Sequence, residues 1–120
     1  MLTSSDSEAL RLTAPGSPDS RIHGVYRHRP GSPIAVFTLS NFPPAPAGRV
    51  YRAWALYGGA WIPLGDVRPD ASGHARAIAD HPRLASRPDR LQVTLEPETA
   101  VPAPTGPIQI AWPPTSSRPP

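Results

Sequence analysis

The chain has 120 residues, the size of a single domain, and its 19 Pro and 9 Gly argue against long helices, because proline removes a backbone donor and clashes with the preceding turn. A hydrophobic fraction of 38% with three Trp argues against full disorder, and the lack of cysteine excludes disulfides, thiolate nucleophiles and cysteine-based zinc sites. The net charge is only +3 and the arginines are scattered singly, so we expect no nucleic-acid partner, which would require a basic stripe or patch.

Short runs of apolar or alternating residues, separated by turn residues, predict a series of strands. In chain order the predicted strands are 8–14, 21–28, 34–40, 50–57, 60–67, 74–79, 91–96 and 108–112. The run at 50–57 has apolar residues on both faces, which is typical of a strand that is covered on both sides. The segment 80–89 is the one candidate for a helical turn, and Pro82 and Pro88 keep it short.

The connections between these strands carry their own signals. Gly58 and Gly59 predict a tight hairpin, because glycine readily takes the positive φ that such a turn needs. Pro63 marks an edge strand or a bulge, since it cannot donate to a sheet ladder. Two proline-rich connections, 41–48 and 97–107, are too long for simple hairpins, and we interpret them as crossings between two sheets.

Together these patterns predict an all-β fold, an immunoglobulin-like or Greek-key β-sandwich of seven to eight short antiparallel strands. We expect the domain over residues 8–112, between a disordered N-terminal tail at 1–7 and a Pro-rich C-terminal tail at 113–120. No apolar run reaches the roughly 20 residues of a membrane span, so we expect a soluble fragment.

Alternation assigns the side chains of the last two predicted strands to faces. The apolar residues expected to share one face are Leu91, Val93 and Leu95 in the first, and Ile108, Ile110 and Trp112 in the second. The polar residues expected to face outward are Gln92, Thr94 and Glu96.

No group of residues predicts catalysis or metal binding. The four histidines lack the paired spacing of a zinc site, so such a site would require three of His23, His28, His74 and His81 to converge in space. Most carboxylates lie beside Pro or Gly, where they form turns, and neither a Gly-x-Ser-x-Gly motif nor a glycine-rich phosphate loop is present. We therefore predict a non-enzymatic protein with no catalytic residue, cofactor or metal.

The aromatic residues leave two interpretations open. Tyr51, Trp54, Tyr57 and Trp61 straddle the predicted hairpin, where they either pack in the core or form an exposed patch that binds a sugar or a peptide. Alternation sends Tyr51 and Trp54 to opposite faces, so we expect one of them near the surface unless both faces are covered. The candidate binding surface consists of Trp54, Tyr57, Trp61 and Trp112.

Four motifs in fixed order resemble a known family. They are NFPPAPAGRVYRAWAL at 41–56, PLGDVRPDASGHA at 63–75, LQVTLEP at 91–97 and PTGPIQI at 104–110. This arrangement is similar to the extracytoplasmic, C-terminal domain of the anti-sigma-K factor (RskA) family, and residues 8–40 fit the first strands of such domains. The chain departs from the family at 98–101, where Glu-Thr-Ala-Val stands in place of a glycine-rich segment.

The resemblance implies a sensory and regulatory domain on the extracytoplasmic side of the bacterial cell membrane. Its implied partners are the remainder of a membrane anti-sigma factor and a regulatory protease, with the sigma factor bound only by a cytoplasmic domain outside this chain. By the same resemblance, the motif residues are fold determinants: Gly48 and Gly73 set turns, Trp54 packs, and Pro104 to Pro107 fix a connection. The alternative function is a carbohydrate- or peptide-binding module. The sequence does not indicate an oligomeric state.

Overall fold

The computed structural model describes residues 8–15 and 21–113, which form eight strands and one short helical turn. The strands are β1 (Glu8–Thr13), β2 (His23–His28), β3 (Ile34–Ser40), β4 (Arg49–Tyr57), β5 (Ala60–Val67), β6 (Ala75–Asp80), β7 (Arg90–Pro97) and β8 (Ile108–Trp112). A 3-10 turn at Pro82–Ala85 lies inside the segment for which a short helical turn is predicted. The predicted tails at 1–7 and 113–120 lie outside the described residues, apart from Pro113.

The strands form one antiparallel sheet in the order β5-β4-β7-β8-β1-β2-β3-β6. Its two halves of four strands are joined where Thr13 of β1 pairs with Ala111 of β8. At the other side, the end strands β5 and β6 lie against each other, so the sheet nearly closes into a barrel-like sandwich. The prediction of an all-β fold with seven to eight antiparallel strands is therefore confirmed.

Apolar side chains from both halves fill the space between them. The buried core includes Leu12, Tyr26, Phe37 and Leu39 from one half, and Ala53, Leu91, Val93 and Ile110 from the other. Burial of each larger side chain of this kind stabilises the fold by about 1.5–3 kcal/mol. Leu91 and Val93 therefore face the core, as the alternation of their strand predicts.

The hairpin between β4 and β5 forms where two glycines predict it. Gly58 and Gly59 have φ of 57° and 87°, and Tyr57 pairs with Ala60 across them. β5 is an edge strand of the sheet, in agreement with the signal from Pro63. Pro63 also borders a bulge, because the partners of Ala53 and Trp54 are Gly65 and Pro63, which leaves Leu64 as an extra residue.

Bulges change which side chains face the core. In β5, Leu64 and Val67 are both buried although they are three residues apart, and Asp66 between them faces outward. In β8, a bulge at Gln109 lies between Ile110 and Ile108, and Ile108 is 42% exposed whereas Ile110 is fully buried. The prediction that Ile108 shares a face with Ile110 is therefore wrong, because the extra residue breaks the alternation.

One of the two predicted crossings is confirmed and the other is wrong. The connection 41–48 joins β3 to β4, which belong to different halves of the sheet. The connection 97–107 joins β7 to β8, which are hydrogen-bonded neighbours, so it does not cross between the halves. This connection is long because it folds back over the outer face of β4 and β7.

Candidate functional site

β4 is buried on both of its faces. Tyr51, Ala53 and Ala55 belong to the inner core, so alternation puts Trp54 on the outer face, yet Trp54 is 0% exposed. Its indole N–H donates to the hydroxyl of Thr94 on β7 at 2.9 Å. The expectation places one of Tyr51 and Trp54 near the surface unless both faces of the strand are covered; both faces are covered, the outer one by the loop 97–107, so neither residue lies near the surface.

The polar face of β7 is covered as well. Gln92, Thr94 and Glu96 are 5%, 0% and 0% exposed, so the prediction that they face outward into solvent is wrong. Alternation places them correctly on the face opposite Leu91 and Val93, but the loop shields that face from water. The predicted pattern is thus right about orientation and wrong about burial.

Glu96 is the centre of the contacts that hold this loop. Its carboxylate accepts hydrogen bonds from the hydroxyls of Thr94 and Thr105, both at 2.5 Å, and from the backbone N–H groups of Thr105 at 2.9 Å and Gly106 at 3.1 Å. Burial tends to raise the pKa of the Glu96 carboxyl, but these four donors together outweigh it and hold the pKa below its ordinary value. The carboxylate is therefore buried as a fully hydrogen-bonded anion.

Gly106 allows the loop to approach β7 this closely. A Cβ atom at this position would lie 1.8 Å from the carbonyl oxygen of Leu95. The same contact is supported by the N–H of Leu95, which donates to the carbonyl of Pro107 at 3.2 Å. Only glycine fits between the loop and the strand here.

Arg52 on β4 fastens the beginning of the same loop. Its Nε donates to Asp66 on β5 at 2.6 Å, and its two terminal nitrogens donate to the carbonyls of Pro97 and Thr99 at 3.3 Å. The Arg52 side chain is 6% exposed and the Asp66 side chain is 35% exposed, so the guanidinium is buried whereas its carboxylate partner reaches solvent. We refer to Arg52, Thr94, Glu96, Thr105 and Gly106 as the loop clamp.

The connection 41–48 is held by a separate set of bonds. The Tyr51 hydroxyl donates to the carbonyl of Pro43 at 2.9 Å, and the N–H of Phe42 donates to the carbonyl of Gly73 at 3.0 Å. Gly73 has φ of 82°, and a Cβ atom there would lie 3.0 Å from the Phe42 backbone. The turn that precedes β6 is therefore packed directly against this connection.

The candidate aromatic surface is not assembled as one patch. Trp54 and Tyr57 are buried, and the Tyr57 hydroxyl donates to the carbonyl of Ser86 at 2.9 Å. Trp61 and Trp112 are half-buried: Trp61 pairs with Leu56 on the outer face of β4, whereas Trp112 packs against the inner core. Only these last two offer accessible aromatic surface, and they lie on opposite faces of the sheet.

The described residues do not assemble a set of metal ligands. Within residues 8–15 and 21–113, no three His, Asp or Glu side chains come close enough to hold a metal ion. His28 is buried, and its Nε2 lies 2.8 Å from Glu8, whose other oxygen lies 3.0 Å from Arg87. In the same part of the chain no helix has the length and apolarity needed to cross a bilayer.

Open cavities surround the loops at one end of the sandwich. A cavity of about 390 Å³ lies beside Arg21 and Phe42, and one of about 250 Å³ lies between 44–50 and Arg68. A third, of about 480 Å³, lies between β3, β6 and the turn at 68–74. This end of the sandwich therefore carries open cavities, and the loop held by the clamp lies beside one of them through Glu98.

The loop clamp was not identified from the sequence. Alternation puts Glu96 on the solvent side of its strand and cannot show what lies above that side. The signal that points to the clamp is a Glu at the end of a strand, followed by a proline-rich loop that returns with Thr105 and Gly106. A buried anion of this kind needs exactly such hydroxyl and backbone donors.

Comparisons with known proteins give one result. No curated protein and no solved structure matches the chain. The family described as anti-sigma-K factor RskA, C-terminal, matches residues 3–108, which include β1 to β7 and the whole loop clamp. The resemblance predicted from the sequence motifs is confirmed, and this family is a regulatory one, not a known class of enzymes. The chain therefore belongs to the family of C-terminal domains of anti-sigma-K factor RskA, and its role is a regulatory one in anti-sigma control.

Proposed function

We propose that this chain is a non-enzymatic sensory domain on the extracytoplasmic side of the membrane, and that its folded state controls the proteolysis that releases the sigma factor. The observation that carries this proposal is the fastening of both long proline-rich connections by hydrogen bonds to buried side chains. The loop 97–107 is held by Glu96 and Arg52, and the connection 41–48 is held by Tyr51. Fastened loops withhold the extended backbone that a protease needs.

Such a domain responds through the population of locally opened states. Releasing the loop clamp would expose the backbone of 97–107 together with the buried Trp54 and Glu96. This opening costs less than global unfolding, because the inner core between the two halves is left in place. A partner or stimulus that binds either state more tightly shifts the population of cleavable molecules.

Limited proteolysis tests this proposal directly. In the folded 120-residue chain we expect cleavage at the termini and within 80–89, where exposed residues outnumber buried ones. The variant Glu96→Gln places an amide against four donors, so we expect additional, faster cleavage within 97–107. Cleavage sites are read by mass spectrometry over a time course.

Glu98→Gln is the matched control. Glu98 is exposed and its carboxylate has no hydrogen-bond partner among the described residues, so the substitution removes the same charge without touching the loop clamp. The control should be cut like the unmodified chain. Rapid cleavage near 50–57 in the unmodified chain, or identical cleavage of all three proteins at 97–107, would contradict the proposal.

A further inference from the structure

The largest of the three cavities lies at the seam where the turn 68–74 leads from β5 into β6. One wall is the outer face of β3 and β6, where Thr38 pairs with Arg76. The opposite wall is the turn, which contributes Arg68, Asp70 and His74. The cavity is open to solvent and has a volume of about 480 Å³, which is enough for a ligand the size of a sugar ring.

Two positive charges in this cavity have no ion-pair partner among the described residues. Arg68 and Arg76 are both exposed, and neither forms an ion pair or a hydrogen bond with its side chain among the described residues. By contrast, Arg52 and Arg87 elsewhere in the domain are paired with Asp66 and Glu8. The free guanidinium groups make the cavity a place for a carboxylate, which guanidinium binds through parallel N–H donors.

The single carboxylate in the cavity is partly engaged. Asp70 accepts the N–H of Ser72 at 2.8 Å and that of His74 at 3.1 Å through one oxygen, Oδ1, so its second oxygen remains available. This negative charge opposes a compact dianion, and at the same time it offers an acceptor for a hydroxyl group on a ligand. The preferred anion therefore carries one negative charge and neighbouring hydroxyls.

The remaining walls fit the same kind of ligand. The Thr38 hydroxyl donates to the carbonyl of Val25 at 3.5 Å and keeps its acceptor capacity, and Ser40 adds a second hydroxyl. Leu39 and Ala75 line the cavity between these polar groups, although the Leu39 side chain is buried in the inner core and Ala75 packs against it. The two hydroxyls of Thr38 and Ser40 suit a ligand that carries hydroxyl groups of its own.

We propose that this cavity binds a carboxylated sugar, with its carboxylate on Arg68 and Arg76 and its hydroxyls on Asp70, Thr38 and Ser40. The site lies outside the loop clamp, so the proposal does not depend on regulation by proteolysis. Its chemistry is that of a glycan acid, and it uses none of the four aromatic residues of the candidate aromatic surface.

The test is a titration of the 15N-labelled chain with D-glucuronate, followed by NMR. Glucuronate should shift the backbone signals of residues 38–40 and 74–76, while the neutral counterpart D-glucose should not. Arg68→Gln and Arg76→Gln should each weaken glucuronate binding at least about tenfold, the effect of losing one charge-assisted contact. Both arginines are exposed, so each variant should keep the dispersed spectrum of the folded chain.

Arg11→Gln is the matched control, because Arg11 is an exposed residue on β1 that does not line the cavity. It should bind glucuronate as the unmodified chain does. Three results would overturn the proposal: no shift with glucuronate, equal shifts with D-glucose, or equal weakening by Arg11→Gln. Inorganic phosphate is titrated in parallel, and tighter binding of phosphate than of glucuronate would overturn the assignment to a sugar acid.

Discussion

A buried charged group is usually costly, and Glu96 shows how a strand can accommodate one. The carboxylate has no exposed surface, but it accepts two hydroxyl and two backbone N–H hydrogen bonds. Thr94 takes part in a longer relay, because its hydroxyl accepts from the Trp54 indole while it donates to Glu96. The charge of Glu96 therefore organises both the indole beneath the loop and the loop itself.

The Glu96 carboxylate predicts a defined dependence of stability on pH. Its pKa is lower in the folded chain than in the unfolded chain, so its stabilisation is fully present above the ordinary carboxyl pKa and is lost as the pH falls through the folded value. Glu96→Gln should lower the free energy of unfolding by about 1–3 kcal/mol at neutral pH. Urea unfolding, monitored by tryptophan fluorescence from pH 7 to pH 3, measures this difference.

The difference between the two proteins should shrink below about pH 4, where the carboxyl begins to be protonated in the unfolded chain while it is still ionised in the folded one. Glu98→Gln serves as the control, because its side chain is exposed and it should follow the unmodified chain at every pH. A difference between Glu96→Gln and the unmodified chain that stays constant down to pH 3 would show that the ionised carboxylate is not what stabilises the loop.

At the scale of elements, local sequence patterns predict the strands, but they do not predict the paths of the loops. The β4–β5 hairpin follows from Gly58 and Gly59, and the burial of both faces of β4 follows from its apolar composition. Pro63 signals the bulge beside it at Leu64, but the bulge at Gln109 could not be predicted, because a bulge is a property of two paired strands and a sequence shows one strand at a time. The loop clamp escaped prediction for the same reason.

Gly106 provides the test of how closely the loop 97–107 must approach β7. In Gly106→Ala the added methyl group would lie 1.8 Å from the Leu95 carbonyl oxygen, so either the loop or the strand must move. We expect destabilisation at the upper end of the roughly 1–3 kcal/mol that overpacking costs. We also expect faster hydrogen exchange at the backbone amides of residues 105 and 106, which donate to Glu96 in the unmodified chain.

Gly59→Ala separates this clash from a general cost of replacing glycine. Gly59 has φ of 87° and no atom within 4 Å of an added Cβ, so its substitution introduces backbone strain without a clash. The expected cost of Gly59→Ala is about 1–2 kcal/mol. Exchange at residues 105 and 106 should be unchanged in this control, and equal acceleration there in both variants would mean that the close approach to β7 does not hold the loop.

At the scale of the whole molecule, the two sides of the sandwich are closed differently. On one side, β8 and β1 are joined by the pairing of Ala111 with Thr13. On the other side, β5 and β6 are the end strands of the sheet and pack together without being hydrogen-bonded neighbours. The turn 68–74 spans this second seam, and Arg68 of the turn lines the cavity together with Arg76 of β6.

This arrangement predicts where the folded domain opens first. β4 and β7 each have a hydrogen-bonded neighbour on both sides, whereas β5 and β6 each have one. The outward-pointing amides of β5 and β6 should therefore exchange about tenfold faster, or more, than the amides of β4 and β7. Native-state hydrogen exchange of the unmodified chain, resolved by residue, measures this order. If β5 and β6 exchange as slowly as β4 and β7, the seam is as firmly closed as the rest of the sheet. In that case, regulated opening must begin at the loop clamp, where Glu96→Gln would remain the variant that accelerates it.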